Sequence, residues 1–272
     1  MQTRLARVLR GALLTGLYFA GAAVTVFYLR TPADVTLFWP AAGIGFAMVL
    51  RFGLGYVLTI PVAILALHVL VLPVPVEFLP YSVLSNTLAT LLAGWYVRSR
   101  MTSDRIHLRT ADGVLLLRGG LLLSATSACI GAFGMVQAGM AQPHEAGRIA
   151  VQWALGDLLG VASLSPALLY FFSSNRTSPA LRGKPARRTE MVAWGVLLVA
   201  MLGVVHVVGL MGSQYPLALA SLPLSLLLWS AVRYPPLLTL VATSAVIVCV
   251  GLMTGLGLGG FERPQTLHDS VL

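Results

Sequence analysis

Nine apolar runs separated by short polar loops leave this chain few ways to fold. They extend from Gly11 to Leu29, Leu37 to Leu50, Leu54 to Leu72, Tyr81 to Val97, Val114 to Ala138, Ile149 to Phe172, Met191 to Leu210, Leu217 to Val232 and Leu237 to Leu258. About 20 apolar residues are needed to cross ~30 Å of hydrocarbon, and shorter stretches survive if tilted or packed against neighbours. The expected fold is therefore all-α, a polytopic transmembrane helical bundle of about nine segments. The second run has only 14 residues and opens with F-W-P. It reads as a short or re-entrant segment, which is tolerated only where protein covers its unpaired backbone groups.

Composition supports a membrane protein. Of 272 residues, 57% are hydrophobic and 10% charged, with mean hydropathy +0.86, against roughly 45–50% apolar and 25% charged in soluble domains. The net charge of +9 points to topology and not to nucleic acid, because the basic residues sit in short runs between apolar segments. Arg4, Arg7 and Arg10 precede the first run as in a secretion signal, but that run is too long for one and further spans follow. It reads as an uncleaved first span.

With nine spans, Arg4, Arg7 and Arg10, then Arg98, Arg100, Arg105 and Arg109, then Arg176, Arg182, Lys184, Arg187 and Arg188 all fall on one side, joined by Arg51 and Arg233. The positive-inside rule makes that side, and the N-terminus, cytoplasmic. Asp34, Glu77 and Glu145 fall opposite, with Arg30 and Arg148 as exceptions. After the ninth span the chain would emerge outside at Phe261 to Asp269 and end on S-V-L. That ending is expected to be the start of a truncated tenth helix leading to a cytoplasmic output. The longest polar loops run to fewer than 20 residues, too short for a soluble domain. Residues 1–272 thus read as a single transmembrane domain.

Asp157 is the only acidic side chain well inside a long apolar run. A carboxylate at membrane depth costs roughly 2.5–3.5 kcal/mol even on insertion scales, so it faces the bundle interior. Helical spacing puts Trp153, Gly156, Asp157, Gly160 and Leu164 on one stripe, and the Gly156/Gly160 pair lets a neighbouring backbone approach. Asp157 reads either as a structural hydrogen-bonding group or as a ligand or proton site. Tight helix contacts are also expected at Gly16/Ala20 and Gly251/Gly255/Gly259.

At ~1.5 Å per residue, Asp157, Asn86, His68 and His206 fall in the outer half, with Trp39, Gln137, Gln152, Gln214 and Tyr215 at or near that face. Such a layer either lines a pocket open to the outside or belongs to an aromatic and polar interfacial belt. The candidate ligand-binding residues are Asp157, Trp153, Asn86, Trp39, His68, His206 and Tyr215. His68 and His206 have the chemistry of haem axial ligands, although a histidine satisfied within the core is the simpler reading. Arg118 is placed to snorkel away from Asp157. Cys129 and Cys249 read as packing residues, and no metal or cofactor is expected. No H-E-x-x-H, G-x-S-x-G, paired carboxylates or activated nucleophile occurs, so no catalytic residues are assigned and the chain does not read as an enzyme.

F-W-P-A-A-G-I at Phe38–Ile44, S-N-T-L at Ser85–Leu88, W-A-L-G-D-L-L-G-V with a later proline at Trp153–Pro166, L-L-L-W-S-A-V-R-Y at Leu226–Tyr234 and the closing L-H-D-S-V-L resemble, in order, the MASE1 integral membrane sensor domain. The resemblance implies a bacterial inner-membrane input module, usually of about eight spans, joined in cis to a cytoplasmic diguanylate cyclase, phosphodiesterase, PAS domain or histidine kinase, and homodimeric through that output. Its partners would be the bilayer, a small ligand or a membrane protein partner. Members often carry an acid soon after the Asn-Thr pair, where this chain has Ala89. That departure leaves Asp157 to act alone if the acid helps form the site. The alternative function is a small-molecule transporter or transporter subunit that uses Asp157 as substrate or proton site, although no matching interrupted segments appear in two halves.

Overall fold

The computed structural model describes residues 4–29, 38–101, 110–172, 187–210 and 222–256. Each apolar run is helical there: α1 (Arg4–Tyr28), α2 (Pro40–Phe52), α3 (Thr59–Leu70), α4 (Leu79–Arg98), α5 (Thr110–Gln137), α6 (Ala146–Phe171), α7 (Arg188–Leu210), α8 (Leu222–Arg233) and α9 (Pro236–Leu256). Among the described residues there is no strand. By length and composition α1, α5, α6, α7 and α9 suffice to cross a membrane, whereas α2, α3 and α8 are shorter. Leu9, Leu13, Val62, Leu121, Val196 and Val199 are all at least half exposed on helix surfaces. Apolar faces of that extent suit lipid and not water.

The chain divides into two compact units, one holding α1–α6 and the other α7–α9. Within the first, α2 is the central element. It packs against α1, α4 and α6, and ten of its 13 residues are buried. Its start lies beside Gly156, since the Trp39 N–H donates to the Gly156 carbonyl at 3.0 Å. Its end lies beside Phe172, whose ring centroid is 5.4 Å from that of Phe52. Hence α2 runs alongside α6 in the same direction and does not turn back on the side where it entered. At ~20 Å it is shorter than the hydrocarbon, and the surrounding helices shield its backbone as a short segment requires.

Between apolar helices in lipid the hydrophobic effect offers little, so association rests on close packing and hydrogen bonds. The α2–α6 crossing shows both. A Cβ on Gly43 would meet the Gly160 carbonyl, and one on Gly160 would meet the Trp39 carbonyl. The Ser165 hydroxyl donates to the Gly43 carbonyl at 2.9 Å. The Gly156/Gly160 pair therefore does what its spacing predicts. Gly16 does not: a Cβ there would meet nothing within 4 Å, because that part of α1 faces outward. Gly255 and Gly259 lie outside the described side chains. Cys129 is exposed on α5 and Cys249 half-buried on α9, so the packing role expected of Cys129 is not what is found.

At the arginine-bearing end, side chains close the helix termini. Arg98 Nη1 donates to the Leu50 carbonyl in the last turn of α2 at 2.8 Å, and Arg51 Nε donates to the Phe172 carbonyl just past α6 at 2.8 Å. Both carbonyls belong to helix ends, which run out of backbone donors. The Arg10 guanidinium lies over the Phe52 ring, 5.0 Å from its centroid. Gly53 adopts φ 113°, open to glycine and costly for other residues, and so turns the chain from α2 towards α3 through the short 3-10 helix Leu54–Leu58.

In the second unit the Trp194 indole N–H donates to the Leu226 carbonyl at 3.0 Å and its ring stands edge-on to Tyr234. Arg233 forms a two-pronged pair with Glu190, both bonds 2.8 Å. These contacts join the start of α7 to the end of α8. The C-terminal tail, including L-H-D-S-V-L, lies outside the described residues.

Candidate functional site

The first turns of α4 carry Y-S-V-L-S-N, which puts Ser82 and Asn86 one turn apart on the inward face. Asn86 joins three helices. Its Oδ1 accepts the Tyr18 hydroxyl of α1 at 2.9 Å and the indole N–H of Trp39, which precedes α2, at 3.1 Å. Its Nδ2 donates to the Ser82 carbonyl at 2.9 Å and to Ser85 Oγ at 3.3 Å. An amide has two donor and two acceptor positions, and here all four are engaged.

His68, in the last turn of α3, pairs through Nε2 with Ser82 Oγ at 2.8 Å and through Nδ1 with the Leu72 carbonyl at 3.1 Å. Both ring nitrogens are thus committed within the protein, which fits a satisfied core histidine and not a haem ligand. Trp153, on α6, lies with its ring against Gly131 and edge-on to Phe78. Its indole N–H donates to Ser127 Oγ on α5 at 3.0 Å.

These groups enclose a cavity of about 110 Å³ lined by Trp39, His68, Asn86 and Trp153 together with Ser82, Phe78, Met135, Met140 and aliphatic side chains. It lies at the end of the first unit opposite the Arg51 and Arg98 contacts. Four of the seven candidate residues are brought together there.

Asp157 is not a cavity residue. It lies one turn further along α6 than Trp153 and is only 2% exposed. Its carboxyl interacts with the Ser127 side chain, while Oδ2 has no hydrogen-bond partner. Ser127 thus accepts from Trp153 and also meets Asp157, joining the cavity wall to the buried carboxylate. Asp157 is the only buried acid among the described residues. Ala89 is fully buried in the apolar cluster against α2, so no carboxylate stands at that position. His206 lies half-buried on α7 in the second unit, and Tyr215 and Gln214 lie outside the described residues. Gln152 is buried, whereas Gln137 and Arg118 are exposed.

Sequence reasoning missed Tyr18, Ser82 and Ser127. Tyr18 carries the one signal that was available, a polar-tipped aromatic in mid-span, and it is fully buried. Ser82 stands four residues before Asn86, a spacing that shares a helix face. Small hydroxyls in apolar helices usually bond back to their own turn, as Ser124 does to Gly120, and nothing local separates Ser127 from these.

No curated protein and no solved structure matches the chain. Comparison with protein families matches MASE1 over residues 10–263, a range that takes in the cavity, Asp157 and all the described helices but the first turns of α1. With its long apolar helices, the chain belongs to the MASE1 family of membrane sensory input domains.

Proposed function

We propose that residues 1–272 form one sensory input domain of a bacterial inner-membrane signalling protein, with nine membrane segments and a cytoplasmic N-terminus. Its sensory site is the cavity among Trp39, His68, Asn86 and Trp153. The orientation is supported by the arginines, whose end is cytoplasmic by the positive-inside rule, so that the cavity lies on the periplasmic side. The output is a cytoplasmic diguanylate cyclase, phosphodiesterase or histidine kinase in cis, acting as a homodimer.

The observation that carries this reading is that both indoles of the cavity are tied to elements reaching away from it. Trp39 begins α2, whose far end is held by Arg98 through the Leu50 carbonyl. Trp153 is joined through Ser127 to Asp157. A ligand that favours one placement of these indoles shifts the positions of α2 and α6, and it acts only to the extent that it binds two bundle arrangements differently.

The test uses the full-length protein. Asp157→Asn, which keeps an acceptor for Ser127, is expected to leave the protein folded and to alter the output response. An unaltered response, with folding intact, makes Asp157 purely structural and removes this arm of the relay.

A further inference from the structure

The polar side chains of the cavity wall have spent their donors. The Trp39 and Trp153 indole N–H groups go to Asn86 and Ser127. Both amide hydrogens of Asn86 go to Ser82 and Ser85, and its oxygen already accepts twice. His68 Nδ1 faces a carbonyl, which can only accept, so Nδ1 carries the ring proton. In the neutral ring Nε2 then accepts, and the Ser82 hydroxyl hydrogen is the one it receives. Among the side chains of the wall, what remains for a guest is the lone pair of Ser82 Oγ, an acceptor.

The rest of the wall is apolar and aromatic, and no charged residue lines it among the described residues. Among the described side chains a carboxylate or phosphate finds neither cation nor donor, and an ammonium finds no anion, so the desolvation of either goes unrepaid. A ketone, quinone or ether finds no side-chain donor. The volume of about 110 Å³ approaches that of the dry cavity of about 150 Å³ that takes up benzene, and indole faces, Phe78 and two thioethers suit a flat ring.

We propose that the cavity binds a small uncharged ring compound bearing its own hydrogen-bond donor, a phenol-like hydroxyl or an azole N–H, which it gives to Ser82 Oγ. This assignment rests on reading the cavity as the sensory site.

The test is fluorine NMR of 4-fluorophenol, 4-fluoroanisole and 4-fluorobenzoate against the full-length protein in lipid nanodiscs, with protein-free nanodiscs subtracted. Val74 borders the cavity from the segment between α3 and α4, so Val74→Trp fills it. Saturable binding of 4-fluorophenol is expected, about tenfold weaker for 4-fluoroanisole and for Ser82→Ala, undetectable for 4-fluorobenzoate, and lost in Val74→Trp. The anisole comparison needs no variant, so the test survives a Ser82→Ala protein that fails to fold. If 4-fluoroanisole binds as tightly as the phenol, or the benzoate more tightly, with Val74→Trp still abolishing binding, the cavity stands as a site and the donor requirement is wrong. If no probe shows saturable binding that Val74→Trp removes, the ligand class and the sensory reading of the cavity fall together.

Discussion

The backbone N–H of Trp39 donates to the carbonyl oxygen of Gly156 at 3.0 Å. This bond joins the two sequence elements that most distinguish the chain, W-P-x-x-G at the start of α2 and W-x-x-G-D-x-x-G in α6. Pro40 has no N–H and suits the first helical position; Trp39, just before it, has no intrahelical acceptor for its own N–H and finds one on α6. Gly156 and Gly160 let α2 come close enough, and the same approach fixes Trp39 at the cavity.

Adding one methyl at the crossing should therefore be costly. Gly160→Ala or Gly43→Ala sets a Cβ against a neighbouring backbone carbonyl, which backbone atoms cannot avoid by rotating a side chain. A loss of about 2–3 kcal/mol is expected in thermal or denaturant unfolding in detergent. Gly16→Ala and Gly195→Ala, where a Cβ meets nothing within 4 Å, should stay within about 1 kcal/mol of the parent. Equal effects at the four sites would contradict the close crossing.

Asn86 should behave as a shared acceptor. Asn86→Leu strands the Tyr18 hydroxyl and the Trp39 indole N–H in a buried setting, at an expected cost of about 2–4 kcal/mol. Tyr18→Phe alone removes one bond and should cost about 1 kcal/mol. In the Asn86→Leu background, however, the same change should be neutral or restorative, since it deletes a stranded donor. Additive losses would argue against the bond seen at 2.9 Å.

The Trp153–Ser127–Asp157 chain makes a similar claim about coupling. Trp153→Phe and Asp157→Asn alter groups that do not bond each other but share one hydroxyl. A double-mutant cycle is expected to give an interaction energy of at least about 0.5 kcal/mol, collapsing towards zero when Ser127 is replaced by alanine. A zero coupling with Ser127 present would separate Asp157 from the cavity.

In the second unit, the Glu190–Arg233 pair is about one-third exposed on each side chain. Removing it by Glu190→Gln should cost no more than about 1 kcal/mol. Arg233→Lys should lose most of the same amount, because a single ammonium cannot reproduce the two-pronged geometry. Unfolding at low and high salt reads the difference.

Helix positions were legible in the sequence because lipid demands long apolar runs, and each of the nine became a helix. What could not be read was depth within the core. The 14-residue second run looked like the weakest span, yet it is the most enclosed helix, since shortness and small residues such as Ala41, Ala42 and Gly43 suit a centre surrounded by longer neighbours. Asp157 stood out by charge, but charge does not tell whether a group lines a cavity or lies behind its wall. Trp39, Asn86, His68 and Trp153 converged because alternating helices bring their corresponding ends together. Tyr18, Ser82 and Ser127 complete the network, but their partners are distant in sequence, and no local pattern announces a bond over 68 residues such as that from Tyr18 to Asn86.

The central claim is that the cavity among Trp39, His68, Asn86 and Trp153 sets the state of the domain. The most direct test is the output activity of the full-length protein in cells with Val74→Trp, which fills the cavity, beside Val62→Trp, which places the same bulk on an exposed face of α3. The account predicts that Val74→Trp holds the output at one level whatever the growth condition, while Val62→Trp follows the parent. A Val74→Trp protein that is folded, inserted and as responsive as the parent would contradict it.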